Sequence, residues 1–215
     1  MKIELISNGL SNIWRRPQII GRSDILALLG NCITAQTSDE ELRILTSSWK
    51  HVISVPGPGE YVYDESAPYY DNIAAVREKC NSAGIKLLDN NMIHIDDHLI
   101  IGSTLWPYSV SEKYQIKLAN VNSAAPTVTN GDHYKFWNYE DDKFIDENIR
   151  SEGAGAGAGA DKVVVLSHFQ PRPKWYIYTN VNKWFYGART KPISGQIGSL
   201  FIAGGNAHEL PYELR

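Results

Sequence analysis

Asp96-Asp97, set between His94 and His98, is the densest run of ligand-type residues in the chain. Carboxylates and imidazoles at this spacing can close on a divalent cation if a hairpin brings both sides of a turn together. Turn chemistry accounts for the aspartates equally well, because Asp hydrogen-bonds its own backbone in tight turns. The two histidines are then expected on an exposed face, and no metal is assigned to them. Gly131-Asp132-His133 imitates a metal motif, but it falls in a polar stretch of little periodicity, residues 109–139, away from any strand end. It is read as loop polarity. Ser167 and His168 are neighbours in a predicted strand, so their side chains point to opposite faces and are badly placed to pair as nucleophile and base. Cys32 and Cys80 are expected to be buried, inert thiols.

A different chemistry is concentrated between 172 and 189. Arg172, Lys174, Trp175, Tyr178, Lys183, Trp184, Tyr186 and Arg189 interleave cations with large aromatics. Trp, Tyr and Arg are enriched where binding energy concentrates, and the same mixture suits stacking on a nucleotide or a single strand. The competing reading puts the aromatics in the core and the cations in solvent. As a surface, the stretch would contact another protein chain or an anionic, phosphorylated ligand. Nucleic acid is the less favoured partner, since the net charge is −3.

Five junctions between strand-like runs and loops recur along the chain. They are Ile6-Ser7-Asn8-Gly9-Leu10, Leu28-Leu29-Gly30-Asn31, Val55-Pro56-Gly57-Pro58-Gly59-Glu60-Tyr61, Leu166-Ser167-His168-Phe169-Gln170-Pro171 and Ala203-Gly204-Gly205-Asn206-Ala207-His208. With Leu87-Leu88-Asp89-Asn90 and Ile101-Gly102-Ser103-Thr104-Leu105-Trp106, this order resembles the calcineurin-like metallophosphoesterase family in its compact bacterial and phage-type form. The resemblance implies a four-layer α/β/β/α sandwich of two mixed sheets flanked by helices. It also implies motifs of the form Asp-x-His, Gly-Asp, Gly-Asn-His-Glu, a lone His and Gly-His-x-His, which hold two divalent metals that activate water and clamp a phosphate.

Laid on those motifs, the chain departs at almost every ligand. The resemblance puts Asn8 and Leu10 at the first Asp and His, Asn31 at the bridging Asp, and Pro58 and Gly59 at the Asn ligand and catalytic His. Gly205 and Ala207 stand at the last pair. Only Glu60 and His168 keep the family's residue. His208 can replace one lost His if its loop shifts by one position. A neutral amide does not bridge two cations effectively, and one imidazole does not make a site. The resemblance therefore implies a vestigial cleft of Asn8, Asn31, Glu60, His168, Asn206 and His208, with no catalytic residue, no metal and no cofactor. The expectation is an inactive member that serves as a binding, scaffold or assembly module. The alternative is an active metal-dependent phosphoesterase with a degenerate or displaced site. In the family, the 172–189 region borders the substrate cleft.

These residues need an alternating framework to position them. Strands are predicted over Lys2–Ile6, Asp24–Leu29, His51–Val55, Lys86–Leu88, Val163–Leu166 and Leu200–Ala203, with a hairpin of Met92–Ile95 and Leu99–Ser103 about Asp96-Asp97. A capping-box pattern, Ser38 to Glu41, starts a helix through Leu42, Leu45 and Trp49. A second helix spans Asp71–Ala83 with Gly84 at its C-cap position, and a third Asp141–Arg150. Alternation of this kind predicts an α/β domain. The 215 residues, 43% hydrophobic and 11% aromatic, are read as one domain over 1–215. Within it, 109–139 is an irregular insertion and 151–162 a Gly/Ala-rich connector. A disordered chain is excluded. No apolar run approaches the length of a membrane helix, and the N-terminus does not read as a signal peptide. Two cysteines are too few for a disulfide framework. A cytoplasmic location is expected.

Overall fold

The buried strands come first, because they set everything else. The computed structural model describes residues 1–7, 23–64, 66–106, 131–154, 162–169, 184–186 and 199–204. The first sheet runs β1 (Ile3–Ile6), β2 (Ile25–Leu29), β3 (His51–Val55) and β4 (Lys86–Leu87), in that order and all parallel. Every residue of β2 is buried, as a continuous apolar run with both faces covered should be. The second sheet contains β5 (Asn91–Ile95), β6 (His98–Ser103), β7 (Lys162–Ser167), β8 (Trp184–Tyr186) and β9 (Ser199–Gly204). Its order is β5-β6-β7-β9-β8, with β5 antiparallel to β6 and the other pairs parallel.

Side-chain alternation divides the core in two. Ile3, Leu5, Ile25, Ala27, Leu29, Ile53 and Val55 of the first sheet pack against Ile95, Ile100, Val164 and Leu166 of the second. The sheets therefore lie face to face. Leu26, Leu28 and Val52 point the other way, toward Leu42 and Leu45 of α1 (Asp39–Ser48) and Ile73, Val76 and Cys80 of α3 (Tyr69–Ser82). Each such side chain contributes roughly 1.5–3 kcal/mol on burial. Ser38 caps α1 as its sequence predicts: Glu41 N–H donates to Ser38 Oγ at 3.3 Å, and Ser38 N–H donates to Glu41 Oε2 at 2.8 Å. Gly84 follows α3 at φ +76, where glycine is the residue without strain.

The structure corrects several expectations. The stretch 109–139 is not irregular throughout, because α4 (Gly131–Ala154) begins eight residues before its end. Gly131-Asp132-His133 is the first turn of that helix rather than a loop. Its later turns contain the helix expected over Asp141–Arg150, whereas the turns before Asp141 hide in the sequence because their buried positions include Asn138 and no apolar stripe marks them. It also enters the Gly/Ala-rich connector, as far as Ala154. Pro56-Gly57-Pro58-Gly59 does not only break the chain, since Pro58 opens a short helix, α2 (Pro58–Val62). Proline suits that first position because its missing N–H has no helical partner to lose. His98 is buried rather than exposed, 2.5 Å from the Asp97 carboxylate. Trp184 and Tyr186 lie on β8, paired with Phe201 and Ala203 of β9, where no strand was expected. Among the described residues no helix is long and apolar enough to cross a membrane.

Candidate functional site

Parallel strands gather their C-terminal ends on one edge, and in α/β folds that edge is where ligands meet protein. Here β2 ends in Leu29-Gly30-Asn31, β3 in Val55-Pro56-Gly57, and β7 in Ser167-His168. Three segments distant in sequence thus converge, and two glycines let them close. Gly30 sits at φ +81, and a Cβ there would lie 2.2 Å from His168 Nδ1. A Cβ on Gly57 would lie 2.9 Å from the same nitrogen and 3.0 Å from Asn31 Oδ1. The imidazole fills the space that side chains at 30 and 57 would need.

Glu60 is the anchor of this junction. It is fully buried at the start of α2. Its Oε2 accepts the N–H of Asn31 at 2.7 Å and of Gly57 at 2.9 Å. Its Oε1 accepts the N–H of Cys32 at 2.6 Å and of Ile33 at 3.1 Å. Burial pushes the carboxyl above its ordinary value, and the four N–H donors pull it back. Asn31 holds φ 55, which Asn tolerates better than most side chains. Its Oδ1 accepts the Gly59 N–H at 2.6 Å. His168 Nδ1 lies 2.8 Å from the Leu29 carbonyl, which can only accept, so Nδ1 carries the proton. Burial lowers the imidazole's affinity for a second proton and keeps it neutral.

The structure therefore brings together Asn31, Glu60 and His168. Asn8, Asn206 and His208 lie outside the described residues, as do Arg172, Lys174, Trp175, Tyr178, Lys183 and Arg189. Cys32 and Cys80 are buried thiols of the helix-side core that form no disulfide with each other, and burial raises Cys80 to about 12. Among the described residues, no three His, Cys, Asp or Glu side chains group as metal ligands, and this includes His94, Asp96, Asp97 and His98.

The described residues of the cleft do not fit a two-cation centre. Asn31 offers a neutral amide whose oxygen already receives an N–H. Both Glu60 oxygens are each held by two N–H groups. Pro58 and Gly59 carry no donor side chain. His168 Nε2 keeps a lone pair of ligand type, and one imidazole does not make a two-cation site.

A polar and aromatic annex adjoins this cleft, and reading the sequence missed it. Tyr61 Oη donates to Asp89 Oδ1 at 2.8 Å and lies 3.3 Å from Thr104 Oγ1. Arg77 pairs with Asp89 at 2.9 Å. Thr104 Oγ1 donates to the Pro56 carbonyl at 3.0 Å, and the Phe169 N–H to the Thr104 carbonyl at 3.1 Å. Rings link the two places: Trp106 lies 5.3 Å from Tyr61 and 6.0 Å from Phe169, and Phe169 4.6 Å from His168. The signal available in the sequence was the run from Gly102 to Trp106, although its partners on α2, α3 and α4 are set only by the fold.

No family model matches the chain. No curated protein matches it either. Among solved structures, the phosphopantetheinyl hydrolase (PptH) from Mycobacterium tuberculosis matches with a TM-score of 0.51 and 16% sequence identity, over 79% of this chain and 68% of that one. At that identity the likeness is one of fold alone, an α/β arrangement of two sheets and helices.

Proposed function

We propose that this chain is a catalytically inactive phosphoesterase-fold protein that works by binding, as a scaffold, assembly or sequestering module without a metal or cofactor. The observation that carries the reading is the use of the cleft's side chains. Glu60, Asn31 and His168 hold the loops after β2 and β3 together through hydrogen bonds of 2.6–3.1 Å. Groups spent on their own backbone are not presented to a phosphate or a cation. On this reading α4 completes a four-layer sandwich outside β6, and the protein works in the cytoplasm. Residues 172–189 supply the contact surface, toward another protein chain or an anionic, phosphorylated ligand.

One observation favours the second reading, an active metal-dependent phosphoesterase with a displaced site. The His168 tautomer leaves Nε2 as a lone pair, the form in which imidazole binds metal. Metal analysis of the purified protein separates the two. The expected result is no stoichiometric Mn, Fe, Ni or Zn, no rise in melting temperature on adding metal, and no hydrolysis of phosphate mono- or diesters. Two tightly held equivalents per chain, with turnover lost in His168→Ala, would establish the second reading.

A further inference from the structure

One edge of the second sheet is built differently from the other edges. Among the described residues the first sheet ends in β1 and β4, and the second in β5 and β8. β4 is two residues long and carries Lys86, β8 is three residues long, and β1 carries Glu4. Shortness and charge keep a free edge from pairing with another chain. β5 has neither protection. Its five residues, Asn91-Met92-Ile93-His94-Ile95, include no Pro, Lys, Arg, Asp or Glu, and Asn91, Met92 and His94 are exposed.

The hairpin decides which backbone groups of β5 face outward. The two-residue turn Asp96-Asp97 closes on the pair Ile95–His98, and in such a hairpin the closing pair exchanges both hydrogen bonds. Bonded pairs then alternate. Ile95–His98, Ile93–Ile100 and Asn91–Gly102 are bonded, while the N–H and C=O groups of Met92 and His94 turn away from β6. The Met92 N–H accordingly donates to its neighbour's side chain, Asn91 Oδ1, at 2.8 Å. Side chains alternate as well. Ile95 is buried in the core between the sheets and Ile93 half-buried at its rim, so Met92 and His94 stand on the opposite face.

We propose that β5 pairs antiparallel with β5 of a second copy of this chain, about a two-fold axis at Ile93. The spacing of the outward groups is self-complementary. With the axis at Ile93, Met92 stands opposite the partner's His94 and His94 opposite the partner's Met92, and each pair exchanges both N–H···O bonds. This register keeps all five residues paired, whereas an axis at Met92 or His94 leaves strand ends over. It also sets Ile93 against the partner's Ile93 in a non-bonded pair, where side chains approach most closely. The half-buried rim of the core then continues across the axis. A contact of this symmetry closes on itself and gives a dimer rather than a fibre. A strand pair of this length buries less than a standard interface, so dissociation constants of roughly 1–100 μM are expected. The surface uses no residue of the cleft and none of 172–189, so it stands or falls apart from the metal-free reading.

The test is sedimentation velocity of the native protein between about 1 and 200 μM, where monomer should give way to dimer as concentration rises. Met92→Lys combined with His94→Lys places like charges opposite one another across the axis. That double variant should stay monomeric over the whole range with an unchanged circular dichroism spectrum, since both side chains are exposed. Disulfide trapping reads the register. In Ile93→Cys the new thiol meets its own copy at a Cα separation of about 4.5 Å, within disulfide reach; in His94→Cys it does not face itself. The native Cys32 and Cys80 are buried. Mild oxidation should link Ile93→Cys into dimers and leave His94→Cys unlinked. A native protein that stays monomeric at about 200 μM, a dimer that persists in the double variant, or an Ile93→Cys protein that does not link would overturn the proposal.

Discussion

The cleft and its annex are built from the same kinds of residue and solve opposite problems. At the cleft, one buried carboxylate meets four backbone N–H groups, and a neutral imidazole meets a carbonyl. In the annex, Asp141 lies beside Asp89, and Asn90 Oδ1 and Asn138 Oδ1 stay buried without hydrogen bonds from described residues. A fully satisfied polar junction rigidifies what it joins, whereas a partly satisfied one keeps a reserve of unfavourable free energy that a small change releases. The first region should therefore behave as a fixed staple and the second as a joint.

The largest effect should come from removing the staple. Glu60→Ala leaves four N–H groups in a dry interior without acceptors, and should cost roughly 3–5 kcal/mol in chemical denaturation. Gln at 60 keeps one oxygen but turns an NH₂ toward donors, so it should fall between. A loss below about 1 kcal/mol for Glu60→Ala would show that water reaches these amides and that the junction is not dry. Gly30→Ala should follow at roughly 1–3 kcal/mol, through strain at φ +81 and the push on His168. Native-like stability in that variant would mean that the imidazole has room to move.

The pH response should separate the regions by sign. His168 has a lowered pKa, so its contribution is present above the ordinary imidazole value and is lost as pH falls through the folded-state value. Asp141 is raised to about 6, so its contribution is full below the ordinary carboxyl value and is lost as pH rises through 6. In thermal melts across pH, a variant His168→Asn should flatten the acid limb. Asp141→Asn should flatten the limb approaching neutrality, by up to about 2 kcal/mol. Parallel curves for the native protein and Asp141→Asn between about pH 4 and 7 would refute the assignment of that limb.

The same contrast explains what could be read from the residues alone. β2 and α1 announce themselves, because the run Ile25–Leu29 and the Ser38–Glu41 box are local patterns that burial and capping then use unchanged. The hairpin about Asp96-Asp97 does too, since Asp96 takes the positive φ of 53 that the turn requires. α4 does so only over Asp141–Arg150; its earlier turns do not, because their inner positions include Asn138, whose partner on Trp106 is 32 residues away, and the tie from Asp141 to Asn90 spans 51. The placement of Glu60 was legible through resemblance, but its work as an N–H acceptor for Asn31, Cys32 and Ile33 needs β2 and β3 side by side. Local signals are legible, and polar groups that answer one another across the fold are not.

The smallest effect on stability is expected at 172–189, and it sharpens the comparison from outside both regions. If the aromatics there form a contact surface, replacing Trp175 and Trp184 together by Ala removes area from the surface and little from the core. Circular dichroism and thermal melting of the double variant should then match the native protein to within about 0.5 kcal/mol, the usual range for surface changes. If the rings instead fill the core, each deletion should cost roughly 3–5 kcal/mol and the spectrum should melt. Trp184 makes the test pointed, because its backbone pairs with Phe201 in a parallel ladder at the edge of the second sheet. Such a strand can present one face to a partner while its other face packs. Comparing Trp184→Ala alone with Trp175→Ala alone therefore locates the boundary. A loss confined to Trp184 places β8 with the core and leaves the surface to Trp175 and the cations Lys174 and Arg172 beside it.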